Sequence, residues 1–116
     1  MPDPWRRSRG QLLGTASSVA SNEPRWHPAA VLDAEEARNW YAERSPFAAR
    51  GFLLALDDAV RAILLAPARG PLESHGCRGY PLPNRYPYTL IYRLTPDVEV
   101  VAVAHQRRRP EYWQRR

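Results

Sequence analysis

The sequence predicts a single α+β domain in which two helices pack on a small antiparallel sheet. Three observations support this prediction: apolar residues recur at helical spacing in two stretches between residues 28 and 66, follow a period of two over residues 88–94, and form a nearly continuous run over 98–104. Helices that precede a set of neighbouring strands are typical of α+β proteins. A chain of 116 residues is long enough for one small core and too short for a second domain.

The first predicted helix begins at Pro28, after a short extended segment over residues 25–27. Proline is favoured at the first position of a helix, where a backbone N–H would have no partner. Steps of four and three then define one helical face, whereas Asp33 and most other charged residues lie mostly off it. The face consists of Ala30, Ala34, Ala37, Tyr41 and Arg44.

The second predicted helix begins after Ser45, which serves as the N-cap, with Pro46 at the first position. It runs to about Ala66, and Pro67 ends it. Its apolar stripe is typical of a core-facing helix, so the two helices form a hairpin. The stripe consists of Phe52, Leu53, Leu56, Ala59, Val60, Ile63 and Leu64.

Three strands are predicted in the second half of the chain. A short strand lies between Glu73 and Leu82, in a region rich in Gly and Pro. The period of two over residues 88–94 predicts a half-buried strand, and a turn follows at 95–97. Residues 98–104 are almost free of polar side chains, which is typical of a central strand.

Residues 1–24 are predicted to be a flexible N-terminal extension, and residues 25–116 a folded domain. The extension is rich in Pro, Gly and Ser and has no sustained apolar period. Gly14 and Thr15 interrupt the run that resembles a secretion signal, so we expect no export. A single Cys forms no internal disulfide, and no stretch approaches the roughly 18 apolar residues of a membrane helix. We therefore expect a cytoplasmic protein.

Positive charge is concentrated at the end of the sequence. The formal net charge is +5, and residues 105–116 carry five Arg against one Glu. Pro110 is expected to begin a short C-terminal helix there that carries Tyr112 and Trp113. Such a segment is either a solvated basic tail or a site for phosphate or an acidic partner. Composition alone favours the solvated tail.

Three stretches carry a family resemblance: WHPAAVLDAEEARNWYAERSP, RYPYTLIYRLTPD and VEVVAVAHQRRRPEYWQRR. They are similar to the first strand and helix, the hairpin strand, and the last strand with its closing pattern, of the RelE/ParE superfamily. These are bacterial toxins of type II toxin–antitoxin modules. The resemblance covers about residues 25–116, and its last motif is specific. It implies a RelE/ParE-like fold and a cognate antitoxin that holds the toxin inactive.

The resemblance implies one of two activities. RelE-like toxins cut mRNA on the ribosome, whereas ParE-like toxins poison DNA gyrase. In the RelE pattern, Thr89 occupies the position of a strand Arg, and Trp113 that of a terminal Tyr. Arg107 matches, but arginine does not readily transfer a proton, and Trp has no ionisable hydroxyl group. The sequence therefore resembles ParE-like members, and we expect a gyrase inhibitor that binds rather than an enzyme.

A ribosome-dependent nuclease remains the alternative. A slip of one residue places Tyr112 at the terminal Tyr position, and a phosphate clamp of arginines is available. The catalytic residues would then be His105, Arg107, Arg109 and Tyr112. A structural role for His105 is favoured, because it stands at the end of an inner strand. A degenerate, inactive family member is a third alternative.

Two contact surfaces are predicted from the family pattern. The residues expected to contact the target are Arg107, Arg108, Arg109, Tyr112 and Trp113. Those expected to contact the C-terminal segment of the antitoxin, in a hetero-oligomer, are Trp40, Phe47, Leu53 and Leu56. No cofactor is expected, and three widely separated His with one Cys give little support to a metal site. Cys77 has no neighbouring base and is expected to be inert.

Overall fold

The computed structural model describes residues 24–84, 86–107 and 112–116. The predicted extension lies outside the described residues except for Pro24, and so do Arg108, Arg109 and Pro110. The division of the chain at residue 24 stays a prediction. The elements in chain order are β1 (Arg25–Trp26), α1 (Pro28–Ala42), α2 (Pro46–Leu65), a short 3-10 turn (Ser74–Gly76), β2 (Arg78–Pro81), β3 (Tyr88–Leu94) and β4 (Val98–His105).

Both helices begin as predicted, with proline at the first position behind a capping side chain. Nδ1 of His27 accepts a hydrogen bond from the Ala29 N–H at 3.0 Å. Oγ of Ser45 accepts one from the Phe47 N–H at 3.1 Å. Each cap satisfies an N–H that the first helical turn leaves without a partner. The second helix ends immediately before Ala66, which confirms the predicted stop.

The sheet has the strand order β1-β4-β3-β2, so β4 is an inner strand as predicted. β2, β3 and β4 pair antiparallel, but β1 pairs parallel to β4. The predicted antiparallel sheet is therefore mixed. A parallel pair needs a long connection between its strands, and here both helices and two strands lie between β1 and β4. The α+β fold class is confirmed.

A β-bulge divides the side chains of β4 between two cores. Ile91 pairs with Ala102 but Tyr92 pairs with Val100, so Val101 has no partner in β3. The extra residue shifts the alternation of side chains along the strand. On one face, β4 packs with both helices through Val98, Val100 and Val103. On the other face, Val101, Ala102 and Ala104 pack with Cys77, Ile91 and Trp113.

The last described residues form a turn rather than the predicted helix. Residues 112–115 are turn residues, and the Arg116 N–H donates to the carbonyl oxygen of Trp113 at 2.8 Å. The predicted start of that helix, Pro110, lies outside the described residues. Neither described helix combines the length and the apolar character that crossing a membrane requires.

Candidate functional site

The site is built on the edge of β4 that β1 leaves uncovered. β1 pairs with Glu99 and Val100 alone, because it is two residues long. Beyond it, side chains satisfy the backbone of β4. Oδ2 of Asp33 accepts a hydrogen bond from the Val103 N–H at 3.1 Å, and Nη1 of Arg116 donates to the Val101 carbonyl oxygen at 3.1 Å. A helix and the C-terminal segment thus meet on one strand edge.

Asp33 and Arg116 form a buried ion pair at this edge. Nη1 of Arg116 lies 2.6 Å from Oδ2 of Asp33, and Nη2 lies 3.3 Å from Oδ1. The Arg116 side chain is 15% exposed and the Asp33 side chain is 6% exposed. Two parallel contacts between a guanidinium and a carboxylate fix orientation as well as distance. The pair therefore fixes the position of residue 116 relative to α1.

Tyr112 joins the same cluster through its hydroxyl group. The hydroxyl oxygen lies 3.1 Å from Oδ2 of Asp33 and 3.4 Å from the Val103 carbonyl oxygen. Both are acceptors, so the single hydroxyl proton is donated to one of them at a time. The guanidinium carbon of Arg116 lies 4.9 Å from the centre of the Tyr112 ring, a cation–π contact. We call Asp33, Tyr112 and Arg116 the tail anchor.

Trp113 anchors the C-terminal segment on the face of the sheet that is opposite the helices. It is 7% exposed and packs with Cys77, Ile91 and Val101. Tyr112 contacts its ring edge to face, at 5.6 Å between centroids. The expected target contact through Trp113 is therefore wrong for this arrangement, because a buried ring presents almost no surface to another molecule. Burial also raises the pKa of the Cys77 thiol, which fits the expected inert cysteine.

The basic segment leaves β4 at His105 and Arg107. The Arg107 N–H donates to Nδ1 of His105 at 3.0 Å, and the Gln106 N–H donates to the Pro87 carbonyl oxygen at 2.9 Å. The His105 ring contacts Tyr88 edge to face at 5.0 Å. The structural role that the sequence favoured for His105 stays a prediction. The side chain of Arg107 is exposed, as a contact to another molecule requires.

A cavity of about 500 Å³ adjoins the tail anchor, between α1 and the neighbouring ends of β3 and β4. Burial, followed by the nearby charge of Glu36, raises the pKa of Tyr88, and burial likewise raises that of Tyr41. Both hydroxyl groups therefore stay protonated at neutral pH. The charged and aromatic residues that line the cavity are Asp33, Glu36, Glu43, Trp40, Tyr41, Tyr88 and His105.

The four residues predicted to contact an antitoxin differ in exposure. Phe47 is 82% exposed and Trp40 is 48% exposed, although the Arg44 guanidinium lies over the Trp40 ring at 3.4 Å. Leu53 is half-buried against the core. Leu56 is fully buried, so the expectation that it contacts a partner is wrong. Its helical position turns it inward, toward the sheet, together with the rest of the core stripe.

Sequence reasoning missed Asp33 and Arg116. The signal for Asp33 was present, because it lies three residues after Ala30 and four before Ala37, both of which are buried. An acidic residue on a buried face requires a partner. Nothing in the local sequence identifies that partner, since Arg116 lies 83 positions away. Within the described ranges, no three His, Cys, Asp or Glu side chains are grouped to hold a metal ion.

Comparison with known proteins identifies the family. The family model described as "ParE toxin of type II toxin-antitoxin system, parDE" matches residues 25–110. The chain belongs to this family. The match confirms the superfamily resemblance and its ParE-like character. It ends before Tyr112, so two of the three tail-anchor residues, Tyr112 and Arg116, lie beyond the matched region.

A solved structure described as "Chromosomal ParDE TA system from P. aeruginosa" has a similar fold. The TM-score is 0.63 at 18% sequence identity, and the alignment covers 73% of this ParE-family chain and 96% of the other. At this identity the likeness supports the fold alone. No curated protein matches the sequence.

Proposed function

We propose that this ParE-family chain inhibits DNA gyrase by binding to it, and that a cognate antitoxin neutralises it. The observation that carries the proposal is the hydrogen bonding of the Tyr112 hydroxyl to Asp33 at 3.1 Å. In a nuclease this hydroxyl would have to meet RNA, but here it holds the C-terminal segment on β4. The site thus offers exposed positive charge at Arg107, while the Tyr112 hydroxyl that the nuclease alternative requires is hydrogen-bonded within the protein.

The proposed target contact is the arginine run that begins at Arg107. Arg107 is exposed where β4 ends, and Arg108 and Arg109 follow it outside the described residues. Guanidinium groups bind phosphate and carboxylate through paired hydrogen bonds, which suits a complex of gyrase with DNA. Tyr112 and Trp113 then act as anchors of this segment rather than as contacts to the target.

The proposed antitoxin contact is the exposed apolar surface formed by Trp40, Phe47 and the outer part of Leu53. Aromatic side chains exposed on adjacent helices suit an amphipathic segment of a partner. The acidic residues Glu36 and Glu43 border the same surface at the cavity. An antitoxin bound there forms the expected hetero-oligomer with the toxin.

The test is a supercoiling and DNA-cleavage assay with purified gyrase, with and without the co-purified antitoxin. We expect cleaved DNA to accumulate with the toxin alone and to disappear when the antitoxin is added. Unaffected gyrase, together with growth arrest on expression of the toxin, contradicts the proposal. In that case cleavage of mRNA on purified ribosomes tests the alternative residues His105, Arg107, Arg109 and Tyr112.

A further inference from the structure

The cavity between α1 and the ends of β3 and β4 has aromatic walls. Trp40 and Tyr41 line it from the helix, and Tyr88 lines it from the sheet. Its volume of about 500 Å³ lies within the range of about 300–1,000 Å³ that is common for ligand sites. The cavity is therefore large enough to take one long side chain of another molecule, with aromatic rings around it.

The lining of this cavity is also negatively charged. The described residues that line it include three carboxylates and neither Arg nor Lys. Asp33 is already paired with Arg116, at 2.6 Å. Glu36 and Glu43 are exposed, and neither forms an ion pair with another residue that the structure describes. Two carboxylates of the lining thus have no counter-charge within it.

The spacing along α1 places these charges beside an aromatic ring. Glu36, Trp40 and Glu43 follow one another at steps of four and three, so they share one face of the helix, with Trp40 between the carboxylates. Glu36 also lies near Tyr88, since its charge contributes to the raised pKa of that phenol. A group that enters between helix and sheet therefore meets carboxylates and aromatic rings together.

A guanidinium group matches this combination better than an ammonium group. It is planar, stacks on aromatic rings and donates paired hydrogen bonds to carboxylates, and it is more weakly hydrated. Trp40 already makes one such contact: the Arg44 guanidinium carbon lies 3.4 Å from its ring centre, and Nη1 of Arg44 donates to its carbonyl oxygen at 2.7 Å. Arg44 itself lies outside the cavity lining. Its single charge can offset only one of the two carboxylates.

We propose that the cavity receives the guanidinium group of an arginine side chain of the antitoxin. The proposal rests on the proposed function only in requiring an antitoxin on the surface that contains Trp40. Because Trp40 belongs both to that exposed surface and to the cavity lining, a segment bound on the surface passes the mouth of the cavity. Apolar contacts there supply affinity, and the charged contact in the cavity selects which antitoxin binds.

The first experiment titrates the purified toxin with N-acetyl-arginine amide, and then with N-acetyl-citrulline amide, which has nearly the same shape but no charge. NMR signals of the Trp40 indole and the Tyr88 ring report binding. We expect a saturable shift with the arginine compound alone, and an affinity at least about fivefold weaker in the double variant Glu36→Gln/Glu43→Gln. Glu73→Gln is the matched control, because Glu73 is exposed and lies outside the lining.

The second experiment measures binding of the antitoxin to wild-type toxin and to the double variant. Each arginine of the C-terminal segment of the antitoxin is replaced by glutamine in turn. We expect one replacement to weaken binding to wild-type toxin at least about fivefold and to have little further effect on binding to the double variant. Thermal unfolding should give similar melting temperatures for all toxin variants, since exposed side chains contribute little to folding.

Three outcomes contradict the proposal. The first is no saturable shift of Trp40 with the arginine compound, and the second is an equal shift with the citrulline compound. The third is an antitoxin that binds wild type and the double variant equally well. An antitoxin that does not bind wild-type toxin contradicts the proposed function and removes the occupant, whereas the titration decides separately whether the cavity binds guanidinium.

Discussion

The hydroxyl group of Tyr92 packs against Gly70 and donates a hydrogen bond of 2.7 Å to the carbonyl oxygen of Pro67. Tyr92 is fully buried in β3, and Pro67 follows the end of α2, so this bond joins the sheet to the chain that leaves the helix. A Cβ atom on residue 70 would lie 2.5 Å from the Tyr92 hydroxyl oxygen and 3.0 Å from the Gly79 carbonyl oxygen. Position 70, in the segment after α2, therefore has room for glycine and not for a larger residue.

Gly70→Ala should lower the free energy of unfolding by about 1–3 kcal/mol, because the added methyl group displaces a buried ring and its hydrogen bond. Tyr92→Phe is the comparison, since it removes the hydrogen bond without adding volume and should cost about 0.5–1.5 kcal/mol. Urea titrations of the two variants measure both values. Equal midpoints for Gly70→Ala and wild type would show that the segment moves aside freely.

Stability should fall at alkaline pH because burial raises the pKa values of Cys77, Tyr41, Tyr88 and Tyr92. In each case the folded chain holds the proton more tightly than the unfolded chain. The stability that these groups contribute is fully present below the ordinary pKa, which is 9.0 for the thiol and 10.0 for the phenols. It is lost as the pH rises from that value through the raised pKa of the folded chain. Urea midpoints at a series of pH values above neutrality measure this loss, and Tyr92→Phe should reduce its slope. A midpoint that is flat with pH argues against the burial of these groups.

Asp57→Asn should raise the melting temperature at neutral pH. Burial in α2 raises the pKa of Asp57, and Arg61 only partly opposes this, so the ionised carboxylate costs the folded chain some stability. The cost is absent at pH values well below the ordinary pKa of 3.8 and develops as the pH rises past it. The advantage of Asp57→Asn should therefore shrink on acidification. Asp58→Asn, on the exposed side of the same turn, should show no such advantage at either pH.

Phe47→Gln should leave growth arrest intact and weaken rescue by the co-expressed antitoxin. Phe47 is 82% exposed at the start of α2, so its replacement costs the fold little. Leu65→Gln removes a side chain of similar exposure from the far end of the same helix and should leave rescue unchanged. Pull-down of the tagged antitoxin measures the two affinities. If Phe47→Gln and Leu65→Gln bind the antitoxin equally well, Phe47 does not contact the antitoxin.

Arg107→Glu should abolish growth arrest and leave the melting temperature nearly unchanged, because an exposed side chain contributes little to folding. The reversed charge repels phosphate where the wild-type residue attracts it. Arg50→Glu makes the same exchange on the exposed surface of α2 and should remain toxic. Toxicity that survives in Arg107→Glu would move the target contact away from the end of β4.

Features set by neighbouring residues could be predicted from the sequence, whereas those set by distant residues could not. Ser45 and Pro46 determine the start of α2 through bonds within one turn, so the prediction was accurate. The predicted half-buried β3 was only partly right: Leu90 and Tyr92 face the core shared with the helices, but Ile91 is also buried, against β4 and Trp113 on the other face. The parallel pairing of β1 depends on which strand lies beside it, and two residues carry no pattern that specifies a direction.

The same distinction between neighbouring and distant residues applies to the candidate site. Phe47, Trp40 and Arg107 are exposed, and their contacts with a partner or a target stay predictions. Leu56 was assigned to a surface from the family pattern and the apolar stripe of its helix, and Trp113 from its place in the C-terminal basic segment, but packing against the sheet buries both. The contacts of Asp33 depend on a partner 83 residues away, which no local pattern predicts.

Ionic strength should weaken the interactions of the exposed arginine Arg107 more than those of the buried arginine Arg116. Mobile ions screen exposed charges within about 10 Å at 0.1 M salt but act much less on buried pairs. Arg116 lies against a carboxylate that is 6% exposed, whereas Arg107 is open to solvent. A concentrated salt wash should thus strip the toxin from a polyanionic surface while its C-terminal segment stays docked, and the released protein should be ready to bind again once the salt is removed.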